Sequence, residues 1–291
     1  MTAASLIPQL VLGLSLIAKD YDAVFCDVWG VIHDGKRAFA SACVALKQFR
    51  ETRGTVILIT NAPVPKARVT GLFPKLGVPV DCFDDVVTSG DATRNELARF
   101  APGPVYPIGL GEDRSVYGGL QLDFTTDPAK ATVVCCTSLR EYPNGHPGTY
   151  RDELKTLASL GLPMVCANPD VQFRHGEQLI WSAGALAAIY ETLGGQVIRP
   201  GKPDAAIYRL AMERLADISG AAPPAARILA IGDGPATDVK GAMNEGLDAL
   251  FIGGGIHGHA MQTGDGFLQS AEQVMSNDGV SARYAIPELA W

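Results

Sequence analysis

The run at 21–35, YDAVFCDVWGVIHDG, restricts the fold more than any other part of this chain. Four apolar residues, 23–26, end at Asp27, and Trp29 and Gly30 follow at once. A short continuous apolar run bounded by turn residues reads as a buried strand, here closed by a carboxylate beside a tight turn. In open α/β sheets, ligands collect outside the carboxyl ends of such strands. Asp27 therefore stands where a nucleophile or a ligand is wanted.

The same unit recurs downstream. Residues 55–59 read as a second buried strand after a helical stretch at 38–51, with Thr60 and Asn61 at its carboxyl end. Pro63 and Pro65 delay the next helix, expected at 65–76, which leads to a strand at 86–88. Near Ser89 the composition changes, and proline and glycine crowd residues 102–119, as a linker into a second unit would. That unit has apolar strands at 132–136 and 164–167 around a helix at 149–160. A helix at 183–193 stops at Gly194-Gly195. Gly201-Lys202-Pro203 opens another at 204–216, and strands follow at 227–232 and 249–252. Alternating strands and helices imply a parallel sheet covered on both faces. The expected fold is α/β: a Rossmann-like doubly wound parallel sheet, 1–88 and 197–291, interrupted by an inserted α/β cap domain, 89–196.

Composition removes several function classes. Twenty-four basic against 31 acidic side chains, with no basic block, argue against a nucleic-acid partner. Six scattered cysteines show no metal-ligand spacing and suit free buried thiols, hence a cytoplasmic protein. The opening stretch, MTAASLIPQLVLGLSLIAKDY, lacks a basic head and has Lys19-Asp20 where a cleavage site belongs. It is too short to span a bilayer, so no membrane partner is expected and a packed N-terminal helix is.

Four polar marks follow strands or open helices: Asp27, Thr60-Asn61, Lys202, and Asp233 with Asp238 in GDGPATDVKGAMNEG. Equivalent strand ends in one sheet would gather them. Three carboxylates and an ammonium suit a divalent cation plus a phosphate, because hard cations prefer oxygen and a lysine balances phosphoryl charge. Each mark has an ordinary reading as well. Asp238 can cap a helix, Asn61 can bond its own turn, and Lys202 can lie in solvent.

The order FCDVWGVIHDG, ILITN, PGKPDAAIY and IGDGPATDVKGAMNEG, spread over nearly the whole chain, resembles the haloacid-dehalogenase-like (HAD) hydrolase superfamily. It is most similar to the class IIA branch of sugar-phosphate and nitrophenyl-phosphatase-like proteins. The resemblance implies a Mg²⁺-dependent phosphomonoester hydrolase acting on a small phosphorylated metabolite. It makes Asp27 the nucleophile that becomes an aspartyl-phosphate and Thr60 the phosphate-binding hydroxyl, with Asn61 beside it among the catalytic candidates. Lys202 becomes the charge-balancing lysine, and Asp233 and Asp238 the metal-binding acids. Position 29 supplies a metal-binding backbone carbonyl in that family, which Trp29 retains.

Trp29 is also the departure from the pattern. Phosphatases of this family carry aspartate there as general acid/base, and an indole is a donor without a useful base. Losing that group costs roughly 10²–10⁴-fold, least for substrates with good leaving groups. His33 and Asp34 are substitute candidates, and His33 is equally a residue that orients substrate. Two other readings stay open: a phospho-ligand-binding or regulatory protein with little turnover, and a haloacid dehalogenase, whose relatives carry an aromatic residue at this position. In the cap, Asn168-Pro169-Asp170 and Arg174-His175 resemble the segment that approaches the active site, so Asp170 and Arg174 are candidate substrate contacts. A homodimer through the cap is the oligomeric expectation. His257 and His259 follow a strand and suit a pocket better than a second metal.

Overall fold

The computed structural model describes residues 7–109, 114–175 and 178–291. Part of the expected N-terminal helix and part of the proline- and glycine-rich stretch lie outside the described residues. The chain divides into two compact units. One comprises Met1–Thr60, Thr70–Val87 and Tyr208–Trp291; the other comprises Asn61–Val69 and Thr88–Ile207. The second unit thus takes in 61–69 and 197–207 along with the stretch expected as the insertion.

The first unit is built on a seven-stranded sheet. Its spatial order is Gln9–Leu10, Tyr284–Ile286, Asp248–Ile252, Ile228–Gly232, Ala23–Asp27, Thr55–Thr60, Asp85–Thr88. The pairings described are parallel. From Ala23–Asp27 the chain runs outward through two strands on one side, then returns to Ile228–Gly232 and runs outward on the other. The sheet is therefore doubly wound, with its switch point between these two central strands, where ligands of such sheets bind. Both are buried at every position, which explains their unbroken apolar runs. The helix Ala40–Thr52 covers the sheet through Ala42, Cys43, Ala45, Leu46 and Phe49, an i, i+3, i+4 stripe.

The second unit has its own parallel sheet, in the order Val197–Ile198, Met164–Cys166, Val133–Cys136, Val105–Ile108. An antiparallel pair, Gln172–His175 with Gln178–Trp181, stands beside it in sequence. The helices Arg151–Ser159 and Ala183–Thr192 pack Leu154, Leu157, Leu186 and Tyr190 into one core with Val134 and Met164. The mixed α/β architecture with parallel sheets is the expected fold class.

Three local expectations are corrected. The N-terminal segment holds no α-helix among its described residues: Gln9–Leu10 is an edge strand, and Leu14–Leu16 and Ala18–Asp20 are single 3₁₀ turns. The reason is a distant contact. A side chain at Gly13 would strike the Trp291 carbonyl oxygen, 2.2 Å from an added Cβ, and the Leu14 N–H donates to the Ala290 carbonyl. The helix expected at 65–76 is two short helices, Lys66–Thr70 and Phe73–Leu76. The stretch after Thr88 is not a linker at first but a helix, Ser89–Ala98, whose N-terminus is capped by the Thr88 side chain. Among the described residues no helix is long and apolar enough to cross a membrane.

Candidate active site

Strand register sets the positions of the carboxylates in the first unit. Asp27 lies across from Ile59, so Thr60 stands one residue beyond it. Cys26 lies across from Ile231, which puts Gly232 level with Asp27 and Asp233 one step past the strand end. Asp238 then folds back from the wide turn Pro235–Val239 against Gly232, where an added Cβ would lie 2.1 Å from the Asp238 carboxyl carbon. Gly232 is thus required by this close approach rather than by its own dihedral angles.

Asp27, Asp233 and Asp238 are all buried, and each offers a carboxylate oxygen within 4.8 Å of the others. Oxygens shared by one hard cation, at about 2.0–2.6 Å each, stand at most about 4–5 Å apart. Hard divalent cations take their ligands from carboxylate oxygens at this spacing. The donor set therefore fits a divalent cation. Asp233 is held in place by its surroundings. The Ile256 N–H donates to Asp233 Oδ2 at 2.6 Å, and Gly30 and Gly255 pack against the carboxylate with no room for a Cβ. Asp238 Oδ2 accepts the Gly234 N–H at 3.0 Å, which ties the carboxylate back to the start of its own turn. Asp238 lies within that turn rather than at a helix N-cap, the position its capping reading requires.

The loop after Asp27 is ordered around His33. The Gly30 N–H donates to the His33 carbonyl, the Trp29 and His33 rings meet edge to face at 5.0 Å, and the Phe73 ring meets the imidazole edge to face at 6.3 Å. His33 is 4 % exposed, and its Nδ1 accepts the Gly35 N–H at 3.1 Å. Burial pushes its pKa down to about 4, against a weaker upward pull from the Asp34 carboxylate. At neutral pH the ring is uncharged, with its proton on Nε2, and holds the loop in shape.

Within the second unit, Asn61, Asp170 and Lys202 come together. Asn61 Nδ2 donates to Asp170 Oδ1 at 2.8 Å and to the Lys202 carbonyl at 3.2 Å, while Asn61 Oδ1 accepts the Lys202 N–H at 2.8 Å. Arg174 is half-buried on the Gln172–His175 strand. His257 precedes, and His259 lies within, the short 3₁₀ turn Gly258–Ala260 of the first unit. Burial lowers the His257 pKa, opposed by the Asp278 carboxylate. Among the described residues neither histidine joins a group of three metal-type ligands. Sequence reasoning missed Gly30, Gly255 and the Ile256 N–H as the cradle of Asp233. The glycine run 253–255 after a strand was the available signal.

Residues 24–122 match the sequence profile of the haloacid dehalogenase-like hydrolases, and residues 199–273 match a second, HAD-hydrolase-like profile. A haloacid dehalogenase-like family hydrolase from Brucella suis 1330 is 40% identical, covers 96% of this chain and all of its own, and superposes with a TM-score of 0.86. The 5'-nucleotidase YutF of Bacillus subtilis is 23% identical over 265 residues, 85% of this chain and 93% of that protein. The p-nitrophenyl phosphatase from Archaeoglobus fulgidus shares the fold at 20% identity, with a TM-score of 0.67 over 92% of this chain and 97% of its own.

Proposed function

We propose that this chain, which belongs to the haloacid dehalogenase-like hydrolases, is a Mg²⁺-dependent phosphatase acting on a small phosphorylated metabolite. The observation that carries this reading is the buried group Asp27, Asp233 and Asp238 at the switch point of the sheet. Relatives named as a nucleotidase and a nitrophenyl phosphatase support the substrate class.

In this reading an Asp27 carboxylate oxygen attacks phosphorus in line. The phosphorus–oxygen bond to the leaving group breaks with its electron pair, and Asp27 becomes an aspartyl-phosphate. Water then attacks the same phosphorus, releases inorganic phosphate and restores the carboxylate. A bound Mg²⁺ would lie among Asp27, Asp233, Asp238 and the Trp29 carbonyl, and would supply neutralising charge. The Thr60 hydroxyl and the Lys202 ammonium are assigned to the transferring oxygens by their place in the motif order. Trp29 supplies no proton, so the leaving group takes its proton from water and aryl phosphates turn over faster than alkyl ones. We assign catalysis to 1–88 and 197–291, and substrate selection, with Asp170 and Arg174, to 89–196. Six free, buried cysteines support a cytoplasmic setting.

The test is phosphate release from a panel of phosphomonoesters with and without Mg²⁺. Asp27→Asn and chelation should each abolish it. A rate that survives both, or halide release in place of phosphate, overturns the assignment.

A further inference from the structure

We infer that Asn61 is a positioning residue: one side-chain amide locks the main chain of Lys202 to the Asp170 carboxylate. The inference rests on the reading of Lys202 as the lysine that serves the phosphoryl group. An asparagine amide has two N–H donors and one oxygen with two lone pairs. Both donors of Asn61 are committed, one to Asp170 Oδ1 at 2.8 Å and one to the Lys202 carbonyl at 3.2 Å. The oxygen accepts the Lys202 N–H at 2.8 Å. Only one lone pair of Asn61 is left for anything else, and no donor is left for a phosphate oxygen. The pattern also fixes which way the amide points, since two acceptors face its nitrogen and one donor faces its oxygen.

The surrounding residues serve the same end. Asn61 and Lys202 are both buried, at 4 % and 3 % exposure. An added Cβ at Gly201 would lie 2.6 Å from Asn61 Oδ1, 2.6 Å from Ser89 Oγ and 2.8 Å from the Pro169 ring. Glycine before the lysine therefore lets the 201–202 backbone close on the amide. Asp170 is itself held, its N–H donating to Asn168 Oδ1 at 3.1 Å and its carbonyl accepting the Gly184 N–H at 3.2 Å. A lysine ammonium rides on a flexible four-carbon stem. Fixing its Cα through both main-chain groups narrows where that ammonium can reach. Asp170, expected as a substrate contact, is on this view the other jaw of the clamp.

The test uses the full chain and variants at Asn61, Asp170 and Lys202. In Asn61→Leu, which is close in size and has no polar atoms, amide exchange at Lys202 should accelerate by about tenfold or more, the factor one lost hydrogen bond carries. The far-ultraviolet circular dichroism should not change. Exchange at the wild-type rate overturns the inference whatever the enzyme does. In kinetics, Asn61→Leu should lower phosphate release in the wild-type background by about 10- to 100-fold, yet by less than about twofold in a Lys202→Ala background. Full losses that multiply in the double variant would mean that Asn61 touches substrate directly, and would also overturn it. The pair Asn61→Asp with Asp170→Asn reverses the donor between the two side chains and keeps an acceptor for the Lys202 N–H. It should recover part of both the exchange protection and the rate, where Asn61→Asp alone does not. If Asn61→Leu does not fold, Asn61→Ser carries the same exchange measurement. If the wild-type chain releases no phosphate, the functional reading falls and the exchange arm still decides the clamp.

Discussion

Gly255→Ala should cost the protein its divalent cation without disturbing its fold. An added Cβ at Gly255 would lie 1.9 Å from Asp233 Oδ2, 2.3 Å from its Cβ and 2.4 Å from its carboxyl carbon. Real contacts of this kind stand at about 3.5 Å or more, so the whole Asp233 side chain must retreat by about 1–1.5 Å. Rotating the carboxylate does not relieve the overlap, because the Asp233 Cβ collides too. The retreat also stretches the 2.6 Å hydrogen bond from the Ile256 N–H to Asp233 Oδ2. Metal–ligand distances tolerate about 0.2 Å, and changes that only disturb supporting groups cost about 10–100-fold in affinity. Displacing a ligand itself should cost at least about 100-fold. Gly255 is not among the glycines with positive φ, so alanine brings no backbone strain and the effect isolates the collision. Gly30 lacks that virtue, since its φ of +86° adds a second penalty. Gly279, with φ +66° and nothing within 4 Å of an added Cβ, is the complementary control, strain without collision: Gly279→Ala should lose about 1–2 kcal/mol of stability and no affinity. Calorimetric titration with Mg²⁺, and the metal-induced rise in Tm, measure both variants. A folded Gly255→Ala protein that binds Mg²⁺ like the wild type would refute the placement of Asp233 at the metal.

Trp29→Asp should raise turnover of alkyl phosphates more than that of 4-nitrophenyl phosphate, since a restored carboxylate donates a proton that nitrophenolate does not need. Equal gains on both substrates, in a variant whose Mg²⁺ affinity is unchanged, would show that the missing acid is not the deficit. His33 makes the metal-free protein acid-sensitive: its pKa is about 4 in the fold, against about 6.5 in the unfolded chain. Between those values the unfolded chain binds more protons, so stability is intact above about pH 6.5 and falls as pH drops toward 4, by about 3 kcal/mol in all. Urea unfolding in EDTA at pH 7 and pH 4 should show this loss shrink by that amount in His33→Gln, and an unchanged slope would contradict the buried, neutral imidazole.

What the sequence disclosed follows from how each element is stabilised. Ala23–Asp27 and Ile228–Gly232 are buried on both faces, so each had to be a continuous apolar run, and each was visible as one. Gln9–Leu10 sits in an apolar stretch whose pattern reads as helix, and Val197–Ile198 is a two-residue strand with no such run. They are strands because Tyr284–Ala285 and Met164–Val165 offer them an edge, and residues that far away leave no local trace. The site divides the same way. Asp27 and Asp233 could be found because a carboxylate directly after a buried strand is a statement about residue type and position. The N–H of Ile256 could not, since every residue but proline carries one, and only the folded chain shows that this one meets Asp233. Asn61 lies between these cases. Its place beside Thr60 marked it for chemistry, but its hydrogen bonds run to Lys202, 141 residues away, and to Asp170, 109 residues away. Motif order places a residue in the neighbourhood of a reaction, whereas the role it plays there depends on how many of its donors the protein has already claimed. For Asn61 both are claimed, and that moves it from the substrate to the lysine.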